Sequence, residues 1–179
     1  MVKTIFIIIG LLILTACSEM GKPQKVVIEN RYSMEVPPFL VKATNLNKEA
    51  SLQYQNIYFG FYVIVLDETK KEVCKSLTDN ELGGDYTPDF NGYCKLIFDN
   101  YLNKIEIKNK SEISEYNING LKAKKMTMDG KFEGVDAYFY ISLIDGKDTF
   151  YQIMTWTLQD KKNKYSGVME KMINTFNEL

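Results

Sequence analysis

The feature that most constrains this chain is a run of strand patterns in its second half, separated by tight turn signals. Ile113 to Ile118 leads into Asn119-Gly120, a dipeptide suited to the two positive-φ positions of a two-residue hairpin. Leu121 to Met128 is the expected return strand. Its apolar phase shifts from Leu121 and Ala123 to Met126 and Met128, which predicts a bulge near Lys124 or Lys125. Asp129-Gly130 reads as a further turn. Val135 to Ile144 then alternates with apolar side chains on both faces: Val135, Ala137, Phe139, Ile141 and Leu143 on one, Tyr138, Tyr140 and Ile144 on the other. Asp145-Gly146 turns the chain into Thr149 to Leu158. Consecutive strands joined by tight turns pair antiparallel. A strand apolar on both faces needs cover on both faces.

The covering elements are also legible. Gln159 to Leu179 carries Tyr165, Val168, Met169, Met172, Ile173, Phe176 and Leu179 at steps of three or four, the stripe of an amphipathic helix. Thr87-Pro88-Asp89 reads as a helix start with Thr87 as cap, followed by Phe90, Tyr93, Ile97 and Tyr101 at helical spacing. Glu68 to Leu77 predicts a shorter helix with Val73 and Leu77 inward. In the first half, Val26 to Val36 is one or two extended pieces ended by Pro37-Pro38, Ala50 to Tyr58 is a strand, and Phe61 to Asp67 is a strand apolar on both sides. The expected architecture is a three-layer α/β/α sandwich around one largely antiparallel sheet.

Tyr32-Ser33-Met34-Glu35-Val36-Pro37, Ala50-Ser51-Leu52-Gln53-Tyr54-Gln55-Asn56 and Phe61-Tyr62-Val63-Ile64-Val65 look like the opening of PsbP-like domains. Phe150-Tyr151-Gln152-Ile153-Met154-Thr155-Trp156-Thr157, with a helix closing on Met172-Ile173-Asn174-Thr175-Phe176, looks like their close. The resemblance spans residues 26–179. It implies that fold, in a family that includes an extrinsic photosystem II subunit, a Ran-binding protein and bacterial lipoproteins, with protein binding as the shared theme. The matching residues are packing patterns, so no functional residue is carried over.

The N-terminus supplies an address. Lys3 gives a short positive segment, and Ile5 to Leu14 is a ten-residue apolar run, far short of the roughly 20 residues a spanning helix needs. Leu14-Thr15-Ala16-Cys17 resembles the bacterial lipobox, which implies cleavage before Cys17 and lipidation of its sulfur. The expected organisation is a signal peptide over 1–16, a lipidated cysteine and tether over 17–25, and the folded domain over 26–179. Stable anchoring takes more than one acyl chain. Ser18 follows the cysteine where inner-membrane retention in Gram-negative bacteria often uses Asp, which points to the outer membrane in such a cell.

Two cysteines remain, Cys74 and Cys94. In an oxidising compartment an even pair can form a disulfide, worth about 3 kcal/mol for a loop of about 20 residues. The alternative is two separate thiols packed as small apolar groups.

Chemistry is constrained by what is missing. The chain has no histidine, which removes Ser-His-Asp and Cys-His arrangements, and neither a C-x-x-C pair nor a phosphate-binding glycine motif is present. With 22 basic against 23 acidic residues the charge is balanced at −1, unlike a nucleic-acid binder. Asp79, Glu81, Asp85 and Asp89 read as a solvated loop in preference to a calcium site, and Lys122, Lys124, Lys125, Lys161, Lys162 and Lys164 as solubilising charge in preference to basic patches against anionic lipid or cell-wall polymer. No metal or cofactor is expected. The leading functional expectation is a membrane-anchored, non-catalytic module that docks an unidentified envelope protein. A carrier of a small apolar or lipid-like ligand between sheet and helix comes second, and a hydrolase last. The irregular stretch Thr78 to Thr87 is the expected contact loop, with Asp85 and Tyr86 as its partner-binding residues.

Overall fold

A computed structural model describes residues 21–79 and 85–179. Along the chain run β1 (Gln24–Ile28), β2 (Tyr32–Val36), β3 (Val41–Lys42), β4 (Leu52–Asn56), β5 (Phe61–Thr69), α1 (Lys70–Thr78), α2 (Phe90–Lys104), β6 (Glu106–Lys110), β7 (Ser114–Ile118), β8 (Leu121–Phe132), β9 (Val135–Asp145) and β10 (Thr149–Leu158). A turn of 3-10 helix (Gln159–Lys161), α3 (Lys162–Ile173) and β11 (Asn177–Glu178) close it. The main sheet has the order β3-β4-β5-β10-β9-β8-β6, and β7 shares the outer edge of β8 with β6. Every pairing is antiparallel.

The two faces follow the predicted alternation. Tyr138, Tyr140 and Ile144 of β9, with Val63, Val65, Tyr151 and Ile153, pack under Tyr165, Met169, Met172 and Ile173 of α3. Ala137, Phe139, Ile141 and Leu143 point the other way, beneath Val73 and Leu77 of α1 and Tyr93, Cys94 and Phe98 of α2. The sandwich is therefore three-layered.

The layer carrying α3 also holds a small sheet, order β1-β2-β11, beside the one sheet that the sequence implied. The terminal helix accordingly stops at Ile173. The Thr175 hydroxyl donates to the Met172 carbonyl at 2.6 Å and accepts the Glu35 backbone N–H at 2.8 Å, turning the chain onto β2. Asn177 and Glu178 then pair with Ser33 and Tyr32.

Three local expectations are corrected. No bulge interrupts the pairing of β8 with β9, whose register is continuous from Lys122↔Asp145 to Phe132↔Val135. The change of apolar phase arises because Ala123 faces the α3 layer while Met126 and Met128 face α2. The register shift lies in β6, between Ile107 and Asn109. Asp129-Gly130 is no turn but part of β8, and the reversal comes at Glu133-Gly134, φ 49° and 82°. Gly130 has a packing reason: a Cβ there would stand 2.6 Å from Ile105 Cγ2 and 2.8 Å from the Glu106 carbonyl. Finally, Asp89 and not Thr87 caps α2. Its carboxylate accepts the Gly92 N–H at 2.9 Å and the Thr87 hydroxyl at 2.7 Å. The Asn119-Gly120 hairpin stands as predicted, both residues at positive φ.

Candidate functional site

Helix α2 crosses its face of the sheet diagonally. Its N-terminal turn sits over the start of β10, where Tyr93 stacks on Phe150 with centroids 4.7 Å apart and Phe90 lies 5.6 Å from the same ring. Its C-terminus reaches the far end of β8, where Ile105 abuts Gly130. The diagonal leaves the first half of β5 and the second half of β10 without a covering helix. The result is an open groove of about 900 Å³.

The floor of the groove is set by the β5–β10 register. Trp156↔Tyr62 and Met154↔Ile64 are opposite pairs, and the Trp156 and Tyr62 rings stack at 5.0 Å with planes 10° apart. Phe139 and Ala137 extend the floor onto β9. Ile97, Tyr101 and Ile105 form the α2 wall, and Phe132, Val135 and Leu158 the rim at the opposite end. This volume lies within the range of about 300–1,000 Å³ typical of small-ligand sites, which are mostly apolar with few fixed polar groups.

Here the fixed polar group is a pair. Gln152, buried on β10, donates through Nε2 to the Tyr101 hydroxyl. Burial holds the Tyr101 phenol well above its usual range, so it stays protonated, and its own O–H is left to donate toward the groove. Asn100 and Lys104 also line the groove. Of the carboxylates that line the groove, Asp67 is ion-paired with Arg31 and Glu68 accepts the Tyr93 hydroxyl at 3.0 Å, while Glu49 and Glu133 are exposed. Among the described residues no group of three or more acids, cysteines or histidines could hold a metal ion. Nor is any described helix long and apolar enough to cross a membrane.

The residues singled out from the sequence lie apart from this groove. Cys17 falls outside the described residues, as does the middle of the Thr78–Thr87 stretch. Asp85 is exposed. Tyr86 is half-buried against α2, its hydroxyl donating to Asp99 at 3.2 Å and its ring lying 4.5 Å beneath the Lys95 ammonium. It is thus a packing residue of the loop more than a free anchor. Cys74 and Cys94 are free thiols in the structure, within one apolar cluster. Burial pushes the Cys94 thiol up to about 12. The Lys124 and Lys125 ammonium groups are engaged by Glu115 at 2.9 Å and Glu170 at 2.8 Å.

No known family and no curated protein matches the sequence. Solved structures do match the fold. CyanoP, the cyanobacterial PsbP of Synechocystis sp. PCC 6803, superposes with a TM-score of 0.57 at 12% identity, covering 93% of this chain and 99% of that one. This is the PsbP-like fold. LpqN, a Mycobacterium tuberculosis protein involved in cell envelope biogenesis, gives 0.54 at 8% identity over 87% of this chain and 84% of its own. A Bacteroides thetaiotaomicron protein gives 0.54 at 8% identity, over 89% of this chain and 49% of its own. At these identities the likeness is one of fold.

Proposed function

We propose that this PsbP-like chain is a non-catalytic binding module of the bacterial envelope, anchored by lipid on Cys17, and that the groove between β5, β10 and α2 holds a small apolar or lipid-like ligand. One observation carries the reading. A solvent-open concavity of about 900 Å³ is floored by Tyr62, Ile64, Met154 and Trp156, and its polar pair, Gln152 and Tyr101, is gathered at one end. That distribution suits a molecule with an apolar body and one polar end, because apolar burial drives binding while a few hydrogen bonds fix orientation. The LTAC sequence at 14–17 and the envelope role of LpqN support the location. Docking of an envelope protein, the leading expectation from sequence, is the second reading; Tyr86, one of its two expected contact residues, packs against α2, and Asp85 is exposed.

Trp156 is the only tryptophan of the chain and stands in the groove, so its emission reports on occupancy. Titration of the purified protein with palmitate and with lysophosphatidylglycerol is expected to give a saturable shift in Trp156 emission. Met154→Asp, which puts a charge on the floor, is expected to weaken the response at least about tenfold, since burying an unpaired charge is costly. Unchanged emission with both probes would refute the ligand. In that case a stoichiometric protein recovered with the lipidated chain from envelopes would favour the docking role.

A further inference from the structure

The end of the sheet where β10 finishes is unusual. Two connections project from it on either side of Leu158. One is the β4–β5 turn, Ile57 to Gly60, placed there by the pairs Asn56↔Phe61 and Phe61↔Thr157. The other is the β8–β9 turn, flanked by Phe132 and Val135 and placed there by Leu158↔Ala137. Both carry large apolar side chains into solvent: Ile57 is 73% and Tyr58 85% exposed, and Phe132 and Val135 are about half exposed. Hairpin turns are ordinarily polar, so apolar tips at two neighbouring turns form a patch that needs an explanation.

The tether leaves the domain at the same place. A Cβ on Gly21 would stand 3.7 Å from Pro38, the next residue Phe39 packs 5.5 Å from Phe59, and Phe59 lies 5.3 Å from Tyr58. Four residue steps separate Gly21 from Cys17 and span at most about 14 Å. A lipid on Cys17 therefore holds this end, and not the Arg31 end, next to the bilayer. Cations frame the tips: the Lys161 ammonium donates to the Tyr58 carbonyl at 3.3 Å, and Lys164 lies 5.5 Å over the Phe59 ring. Lys131, Lys161 and Lys164 stand here against Glu133 and Asp160, with Lys22 beside the tether. Asp136 is paired with Lys108 at 2.8 Å, and Lys162 with Asp129 at 2.7 Å. An aromatic–aliphatic tip ringed by lysines matches an interface where apolar groups enter the acyl boundary and ammonium groups meet phosphate.

We infer that this end of the sheet, with Ile57, Tyr58, Phe132 and Val135 at its tips, seats on the phospholipid surface to which Cys17 ties the chain. The inference rests on the anchoring at Cys17 proposed above. It also orients the groove, whose Phe132, Val135 and Leu158 rim opens at this end, so that a lipid-like ligand enters directly from the bilayer.

Hydroxyl-radical footprinting of the lipidated full chain on vesicles of phosphatidylglycerol and phosphatidylethanolamine tests the inference, with the Cys17→Ser chain free in buffer as reference. Oxidation of Ile57, Tyr58 and Phe132 is expected to fall several-fold, while Val27 and Ile113, about half exposed elsewhere, hold steady. Unprotected tips in a chain whose intact mass carries acyl groups at Cys17 would overturn the docking surface and leave the anchor standing. A mass without acyl groups would remove the anchor alone. The Cys17→Ser chain sedimented with the same vesicles then decides the surface: Ile57→Asp with Tyr58→Asp is expected to lower the bound fraction several-fold, and equal sedimentation, including none, would overturn it.

Discussion

Replacing Phe176 with alanine tests whether the segment beyond α3 belongs to the core. Phe176 is fully buried, stacked 5.2 Å from Tyr32 and tilted 4.9 Å from Tyr151, and its carbonyl accepts the Asn119 side-chain amide at 2.6 Å. The cavity left by the ring is walled by β2, β10 and α3, which are fixed by other contacts and close on it only in part. A buried Phe→Ala change costs about 3–5 kcal/mol, and the poor collapse expected here argues for about 4. That is a large share of the roughly 5–15 kcal/mol that holds a typical domain. At about 2–4 °C per kcal/mol for a domain of this size, the unfolding midpoint falls by about 8–16 °C. Urea unfolding followed by circular dichroism measures the loss directly, with the slope in urea unchanged if only the native state is affected. Leu179→Ala, at a half-exposed position three residues on, serves as the control and is expected to stay within about 0.5 kcal/mol. A loss below about 1 kcal/mol for Phe176→Ala would refute the argument and make the β1-β2-β11 sheet an appendage.

Three other outcomes are expected. The Asp89 carboxyl sits below its usual range because it accepts the Gly92 N–H and then the Thr87 hydroxyl. Its folded form therefore holds the proton less tightly than the unfolded one. Its contribution is complete above the unfolded carboxylate range and is lost as pH falls through the lowered folded value, so Asp89→Ala should cost about 1 kcal/mol near neutrality and little in acid, read by unfolding at each pH. In the reduced protein at pH 8, a maleimide should label Cys74 first and Cys94 only on unfolding, since burial keeps the Cys94 thiol protonated; rapid labelling of both would contradict its placement. Asp85→Ala should leave the unfolding midpoint unchanged, whereas Tyr86→Ala should lower stability by about 1 kcal/mol through the lost Asp99 and Lys95 contacts, and an unmoved midpoint would mean that this packing is absent in solution.

What the sequence disclosed depended on the range over which each signal acts. Alternation along β9 assigned Phe139 and Ile141 to one face and Tyr138 and Tyr140 to the other, because the side-chain period is local and needs no partner. Asn119-Gly120 located its hairpin for the same reason. Asp129-Gly130 carries the same kind of signal and misleads, since its glycine answers to Ile105 and Glu106 across the sheet. The return strand shows the complementary failure. Ala123 and Met126 look out of phase only if one face of β8 is assumed to be covered, and here different layers cover its two ends. Strand β11 has two residues and no periodicity to read, and Phe176 continues the helical stripe of Met169 and Ile173 by coincidence of spacing.

The groove was hidden for a related reason. Tyr62, Met154 and Trp156 have the composition of ordinary strand residues, and only the β5–β10 register places Trp156 opposite Tyr62 and Met154 opposite Ile64. More decisively, a site of this kind is made by missing cover, and cover is a property of connections. Helix α2 has 15 residues, about 22 Å, whereas the 11-residue β9 runs about 36 Å. The helix must also deliver the chain to β6 at the outer edge of β8, so it lies diagonally, and Gly130 permits Ile105 to settle there. The other face meets the same shortfall differently. Helix α3 is shorter still, at 12 residues, and β1, β2 and β11 complete the layer with Tyr32, Met34, Val36 and Phe176. One face of the sheet is thus closed by an added small sheet while the other keeps an open apolar quadrant beside the β10 end. That asymmetry, set by how the chain reaches its edges, gives the fold both its sealed core and its candidate site.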